Sequence, residues 1–135
     1  MPHFHAIVWL DHAQAKVFAF NADDVASQVL HPHDRKAHIH HKANAIGSGK
    51  AATDPDYLRQ IAEALAPAGE ILIVGPGSAK LELIRHLHRH APETEKKIVG
   101  IETVDHPTDR QIVAHARSYF RAADRMLPQK SGERA

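Results

Sequence analysis

Residues 31–50 read HPHDRKAHIHHKANAIGSGK, with five histidines, four lysines or arginines and a single acid. Residues of these types suit two kinds of chemistry. Clustered imidazoles accept zinc, and His38, His40 and His41 form the tightest group, just after His31 and His33. Against a metal centre stands the spacing, which matches no zinc pattern of three or four convergent ligands. The same stretch suits a polyanion. Arginine and lysine pair with phosphate, and histidine and arginine stack on bases. The RNA-binding set expected here is Arg35, Lys36, His38, His40, His41, Lys42 and Lys50, with Gly47, Ser48 and Gly49 between them.

Other positions are weighed for chemistry in the same way. Gly75-Pro76-Gly77-Ser78 follows an apolar run and opens a helical pattern, with Lys80 just beyond. Backbone N–H groups at such a turn can hold an anion, and the bland alternative is that Gly77 supplies turn geometry. The turn lacks the third glycine of a dinucleotide fingerprint. Around Gly49-Lys50 a P-loop fails, because Asn44 stands at its first glycine and Ala51 at its Ser/Thr. No Gly-x-Ser-x-Gly elbow surrounds Ser48 or Ser78. A two-metal nuclease needs carboxylates converging at strand ends. Asp11 is well placed, but Glu70 lies at the wrong end of its strand, so Asp11 reads as a turn residue. His86 and His90 make an i, i+4 pair. Arg110, Arg117, Arg121 and Arg125 form one outward stripe, to which Lys80, Arg85 and Arg89 add. Arg117 and Arg121 join the RNA-binding set if the last helix shares the surface.

The elements that must position these groups follow from periodicity. FHAIVWL (4–10) is a buried central strand, AKVFAF (15–20) a second, and VASQVLH (25–31) an outer third. Residues 32–53 have no period and form a long loop. Asp54 caps a helix with Pro55 at its first position and Leu58, Ile61, Ala62 and Leu65 inward. ILIV (71–74) is a buried strand, then a helix over about 78–90 turns Leu81, Ile84 and Leu87 inward. KIVGIETV (97–104) is the last strand. Thr108 and Gln111 are spaced as a capping box for a final helix, with Ile112, Val113, Ala116, Tyr119, Phe120 and Ala123 inward. The order β-β-β-loop-α-β-α-β-α predicts an α/β fold. It has a mixed five-stranded sheet of order 3-2-1-4-5, ribonuclease-H-like, with three helices.

The chain of 135 residues has the length of one domain and carries no cysteine, which removes disulfides and thiolate chemistry. The expected domain is 1–127, followed by a flexible tail at 128–135. Neither a signal peptide nor a membrane span is expected, which points to the cytoplasm. Formal net charge is +1, so any polyanion contact must be local.

ILIVGPGSAKLELIRHL (71–87) resembles the middle domain of the Pelota and eukaryotic/archaeal class-one release-factor family. There a buried strand runs into a Gly-Pro-Gly turn and a helix with a lysine, matched by Gly75, Pro76, Gly77 and Lys80. Ser78 stands where the family often has an aromatic residue. AIVWLDHAQAKVFAF (6–20) looks like that domain's opening hairpin. DPDYLRQIAEAL (54–65) looks like its helix after the central loop, and KIVGIETVDHPTDRQI (97–112) like its last strand and helix start. The resemblance implies the same ribonuclease-H-like fold in a single-domain, bacterial-type relative. In release factors the central loop carries Gly-Gly-Gln. Here Gly47-Ser48-Gly49-Lys50 occupies that place, with no glutamine to position water at an ester. Pelota itself lacks Gly-Gly-Gln and acts by binding. The resemblance therefore implies a non-catalytic, translation-associated factor whose loop meets ribosome or tRNA, without a cofactor. A histidine-dependent metal-binding protein or small metallohydrolase, using His38, His40 and His41, is the first alternative. A protein–protein interaction module, able to form a homodimer through a sheet edge or helix, is the second.

Overall fold

The computed structural model describes residues 4–32 and 54–134, with side chains as far as Ala122. Strands β1 (His5–Leu10), β2 (Ala15–Phe20) and β3 (Val25–Leu30) are followed by helix α1 (Pro55–Leu65) and strand β4 (Glu70–Gly75). Then come α2 (Ala79–His90), the one-turn α3 (Pro92–Glu95), β5 (Ile98–Thr103) and α4 (Asp109–Arg134). The strands form one sheet in the order β3-β2-β1-β4-β5, as the sequence predicts. β1 pairs antiparallel with β2 and parallel with β4. It sits at the centre because Ala6–Leu10 are buried on both faces, and β4 buries Ile71–Gly75 in the same way. β3 is an outer edge, with five of its six residues exposed.

Alternation along the strands divides the core in two. On one face Ala6, Val8, Leu10, Val17, Ile71 and Ile73 pack against Tyr57, Leu58, Ile61 and Leu65 of α1 and Leu83 and Leu87 of α2. On the other, Ile7, Trp9, Phe18, Phe20, Leu72 and Val74 receive Ile112, Ala116 and Phe120 of α4. The two expected caps form. Asp54 accepts from Asp56 N at 3.0 Å. Gln111 N donates to Thr108 Oγ1 at 3.1 Å, and Thr108 N donates to Gln111 Oε1 at 2.8 Å.

Three details differ from the sequence reading. α2 begins at Ala79 and buries Lys80, Leu83 and Leu87, while Leu81 is 49 % exposed. A lysine on the inward stripe shifts the phase of the helix away from Leu81. A fourth helix, α3, is present: Pro92 stands at its first turn beside Glu93, a start signal on a segment too short to show a period. α4 continues to Arg134, where a tail from 128 is expected; Pro128 costs it one backbone hydrogen bond without ending it.

Candidate nucleic-acid interface

The parallel strands β1, β4 and β5 all end at the same edge of the sheet, with the turns 11–14 and 75–78 and the segment 104–108. The excursion between β3 and α1 leaves and returns there. Leu30 pairs with Ala15 at that edge, and Tyr57 of the first turn of α1 donates to Asp11 O at 3.0 Å. Burial, and then the nearby Asp11 charge, push the Tyr57 phenol well above its ordinary range, so it remains a donor. Asp11 Oδ1 accepts from Ala13 N at 2.8 Å and Gln14 N at 2.9 Å, as a turn aspartate does. The N-termini of α1, α2 and α4 gather at this edge, and their dipoles favour negative charge in front of it.

The Gly-Pro-Gly turn is built by Gly75. A Cβ there would lie 2.2 Å from Leu10 O, so only glycine lets β4 approach the end of β1. Gly77 has open space around it. Lys80, expected to face an anion, turns inward instead. Its Nζ donates to Gly75 O at 2.8 Å and Gly77 O at 2.7 Å, and the residue is only 6 % exposed. The ammonium braces the turn by bonding both carbonyls at once. Ser78 stands at the helix N-cap and its side chain makes no capping bond.

Arg35, Lys36, His38, His40, His41, Lys42, Gly47, Ser48, Gly49 and Lys50 lie outside the described residues. Arg117 and Arg121 lie at the opposite edge of the sheet from the loop's anchors, a six-residue strand away, roughly 20 Å. Arg117 Nη1 donates to Asn21 O at 2.9 Å, and its guanidinium stands 5.1 Å over the Phe20 ring. This arginine ties α4 to the β2–β3 turn. Arg121 is exposed beside a hollow of about 290 Å³ lined with His5, Phe20 and Phe120.

Two sites escape a linear reading. One is a hollow of about 430 Å³ between β4 and α4, floored by Ile7, Val74 and Ile112 and rimmed by His106 and His115. His115 Nε2 lies 2.5 Å from Glu102 Oε1, and Trp9 Nε1 donates to Asp105 O at 2.7 Å. The other is a groove of about 280 Å³ between α1 and α2. There Pro55 and Leu58 face Glu82, Arg85, His86, Arg89 and His90. The i, i+4 spacing of its histidines and arginines is legible, but nothing local shows that α1 closes the other wall. Among the described residues no group of three His, Asp or Glu side chains can hold a metal ion. None of the described helices is long and apolar enough to cross a membrane.

This sheet, with α1 and α2 on one face and α4 on the other, defines a known α/β fold class. Solved structures of that class include the Pelota protein of Thermoplasma acidophilum, with a TM-score of 0.55 and 21 % identity over 81 % of this chain and 30 % of that one. They also include the Archaeoglobus fulgidus Pelota, with a TM-score of 0.55 and 16 % identity over 97 % of this chain and 40 % of that one. An archaeal translation termination factor, aRF1, matches with a TM-score of 0.54 and 15 % identity over 93 % of this chain and 39 % of that one. This chain thus spans between about three tenths and two fifths of the length of these proteins. No family model and no curated protein matches the chain.

Proposed function

We propose that the chain is a non-catalytic translation-associated factor that binds ribosome or tRNA through the basic, histidine-rich segment 31–50. The observation that carries this reading is the shared fold with Pelota and the termination factor aRF1. The loop's anchors support it, because they lie at the sheet edge where three helix N-termini gather. Arg35, Lys36, Lys42 and Lys50 meet phosphates, with His38, His40 and His41 among them. Within the turn Gly75-Pro76-Gly77-Ser78, the exposed Gly77 and Ser78 offer backbone N–H groups to a phosphate, while Lys80 holds the turn. Arg117 belongs to the fold and is left out of the contact set. Peptide release forms no part of the reading, since Ser48 and Lys50 stand where Gly-Gly-Gln chemistry needs its glutamine.

Co-sedimentation of the purified full chain with ribosomes, over a salt series, tests it. The expected result is saturable binding that weakens with salt. Absence from the ribosome pellet at low salt overturns it, and zinc taken up stoichiometrically by a tag-free sample gives first place to the metal-binding reading.

A further inference from the structure

Among the described cations, most are already engaged. Arg59 is bonded to Asp56 and Glu63, Lys16 to Asp109, Lys97 to Ala66 O and Arg117 to Asn21 O. The outward face of α2 is different. Among the described residues, Arg85, Arg89, His86 and His90 meet no carboxylate. The single acid between them, Glu82, lies 3.1 Å from His12 Nε2. Residues four apart share a face, so each pair projects together toward α1. The two imidazole rings stand 4.7 Å apart. Across the groove α1 contributes only Pro55 and Leu58, which are apolar.

We infer that this groove is a docking surface for the phosphate backbone of an RNA strand, held by Arg85 and Arg89 with His86 and His90 beside them. The inference rests on the translation reading and adds to it a contact surface within the folded body of the protein. Each guanidinium presents five donors in a fork that fits phosphate, and among the described residues neither meets a carboxylate. The apolar wall of Pro55 and Leu58 suits the sugar side of the strand. Charge complementarity selects a polyanion, and position selects the same polyanion that the loop would meet. Pro55 follows Asp54, the residue at which segment 33–53 rejoins the described fold.

The histidines make the contact sensitive to pH. Partial burial, then His90, then Arg89 lower the pKa of His86 from the ordinary histidine value, which favours its neutral form. Among the described residues, the charged and titratable groups around it are Arg85, Arg89, His90 and Glu82 on α2, and His12 reaching Glu82 from the β1–β2 turn. A phosphate in the groove offsets the repulsion and favours the imidazolium. Protons are then taken up on binding, and affinity rises as pH falls through the histidine range.

The test uses the full chain, with naked ribosomal RNA and intact ribosomes as separate probes over a salt series. Arg85→Gln with Arg89→Gln removes two exposed contacts and leaves thermal unfolding as in wild type. The slope of log K against log salt should become shallower by about 1.4–1.8, at 0.7–0.9 per phosphate contact. His86→Gln with His90→Gln should flatten part of the pH dependence and leave most of the salt slope. Arg59→Gln, which loses only bonds within α1, should bind as wild type. If wild type binds RNA and the double arginine variant keeps its slope, the groove is no RNA contact and the translation reading stands without it. If the variant loses ribosomes but binds naked RNA as wild type does, the groove takes an acidic protein surface and the inference is overturned. If wild type binds neither probe, both readings fall together.

Discussion

Replacing Lys80 with methionine separates two uses of the Gly-Pro-Gly turn. The structure gives the lysine two charge-assisted hydrogen bonds, at 2.8 Å to Gly75 O and 2.7 Å to Gly77 O. Bonds to a charged group contribute about 1.5–3 kcal/mol each. The full sum is not lost. Gly75 O keeps Val104 N as a second donor at 3.1 Å, and Gly77 is exposed, so water reaches its carbonyl. Methionine also spares the desolvation of a buried ammonium while filling much the same volume. The expected cost is therefore about 2 kcal/mol. For a single domain of this size that lowers Tm by roughly 6–10 °C. Thermal unfolding followed by circular dichroism reads the cost, and RNA binding of the same variant over a salt series reads the function. The expected pair of results is a lower Tm with an unchanged salt slope. A Tm within about 2 °C of wild type, together with a slope shallower by about one phosphate contact, refutes the reasoning. Lys80 would then be an anion contact, and the inward geometry incidental.

Gly75→Ala should destabilise by more than Lys80→Met or yield no folded protein, because its methyl would meet Leu10 O at 2.2 Å, whereas Gly77→Ala has open space; urea midpoints compare them directly. Gly77→Ala should stay within about 0.5 kcal/mol of wild type. His86 titrates below its unfolded value of 6.5, so the unfolded chain binds the proton more readily in that window. Stability from this group is present above pH 6.5 and is lost as pH falls through the folded value. His90→Gln, which removes part of the repulsion, should soften that loss in denaturant titrations at pH 5 and pH 8. A loss as steep as in wild type would assign the pH dependence elsewhere. In the loop, replacing His38, His40 and His41 with glutamine should flatten the pH dependence of ribosome binding and keep the salt slope, while replacing Lys42 and Lys50 should reduce the slope. Binding indifferent to salt and pH in wild type would remove the loop as an RNA contact.

The sequence by itself determines most of the architecture. The runs at 6–10 and 71–74 are apolar without interruption, which only strands buried on both faces require, and they are the two central strands. Asp54-Pro55 and Thr108 with Gln111 mark helix starts through contacts within a single turn, so a linear reading finds them. The handedness of crossovers does the rest, placing β4 and β5 beyond β1. What only the tertiary structure decides is where polar and charged side chains are spent. Lys80 reads as an outward cation until the carbonyls of the turn fold over it, and that inward lysine is why Leu83 and Leu87 are buried while Leu81 is left half-exposed. Arg117 reads as part of a phosphate-binding stripe until Asn21, 96 residues earlier, supplies its acceptor. Gly75 and Gly77 look alike in the chain, and the approach of Leu10 O distinguishes them. Arg85, His86, Arg89 and His90 acquire a groove only because α1 lies alongside. Periodicity records how much of each residue is buried. Partners far apart in the chain are set by packing, and they decide which charges remain free to act.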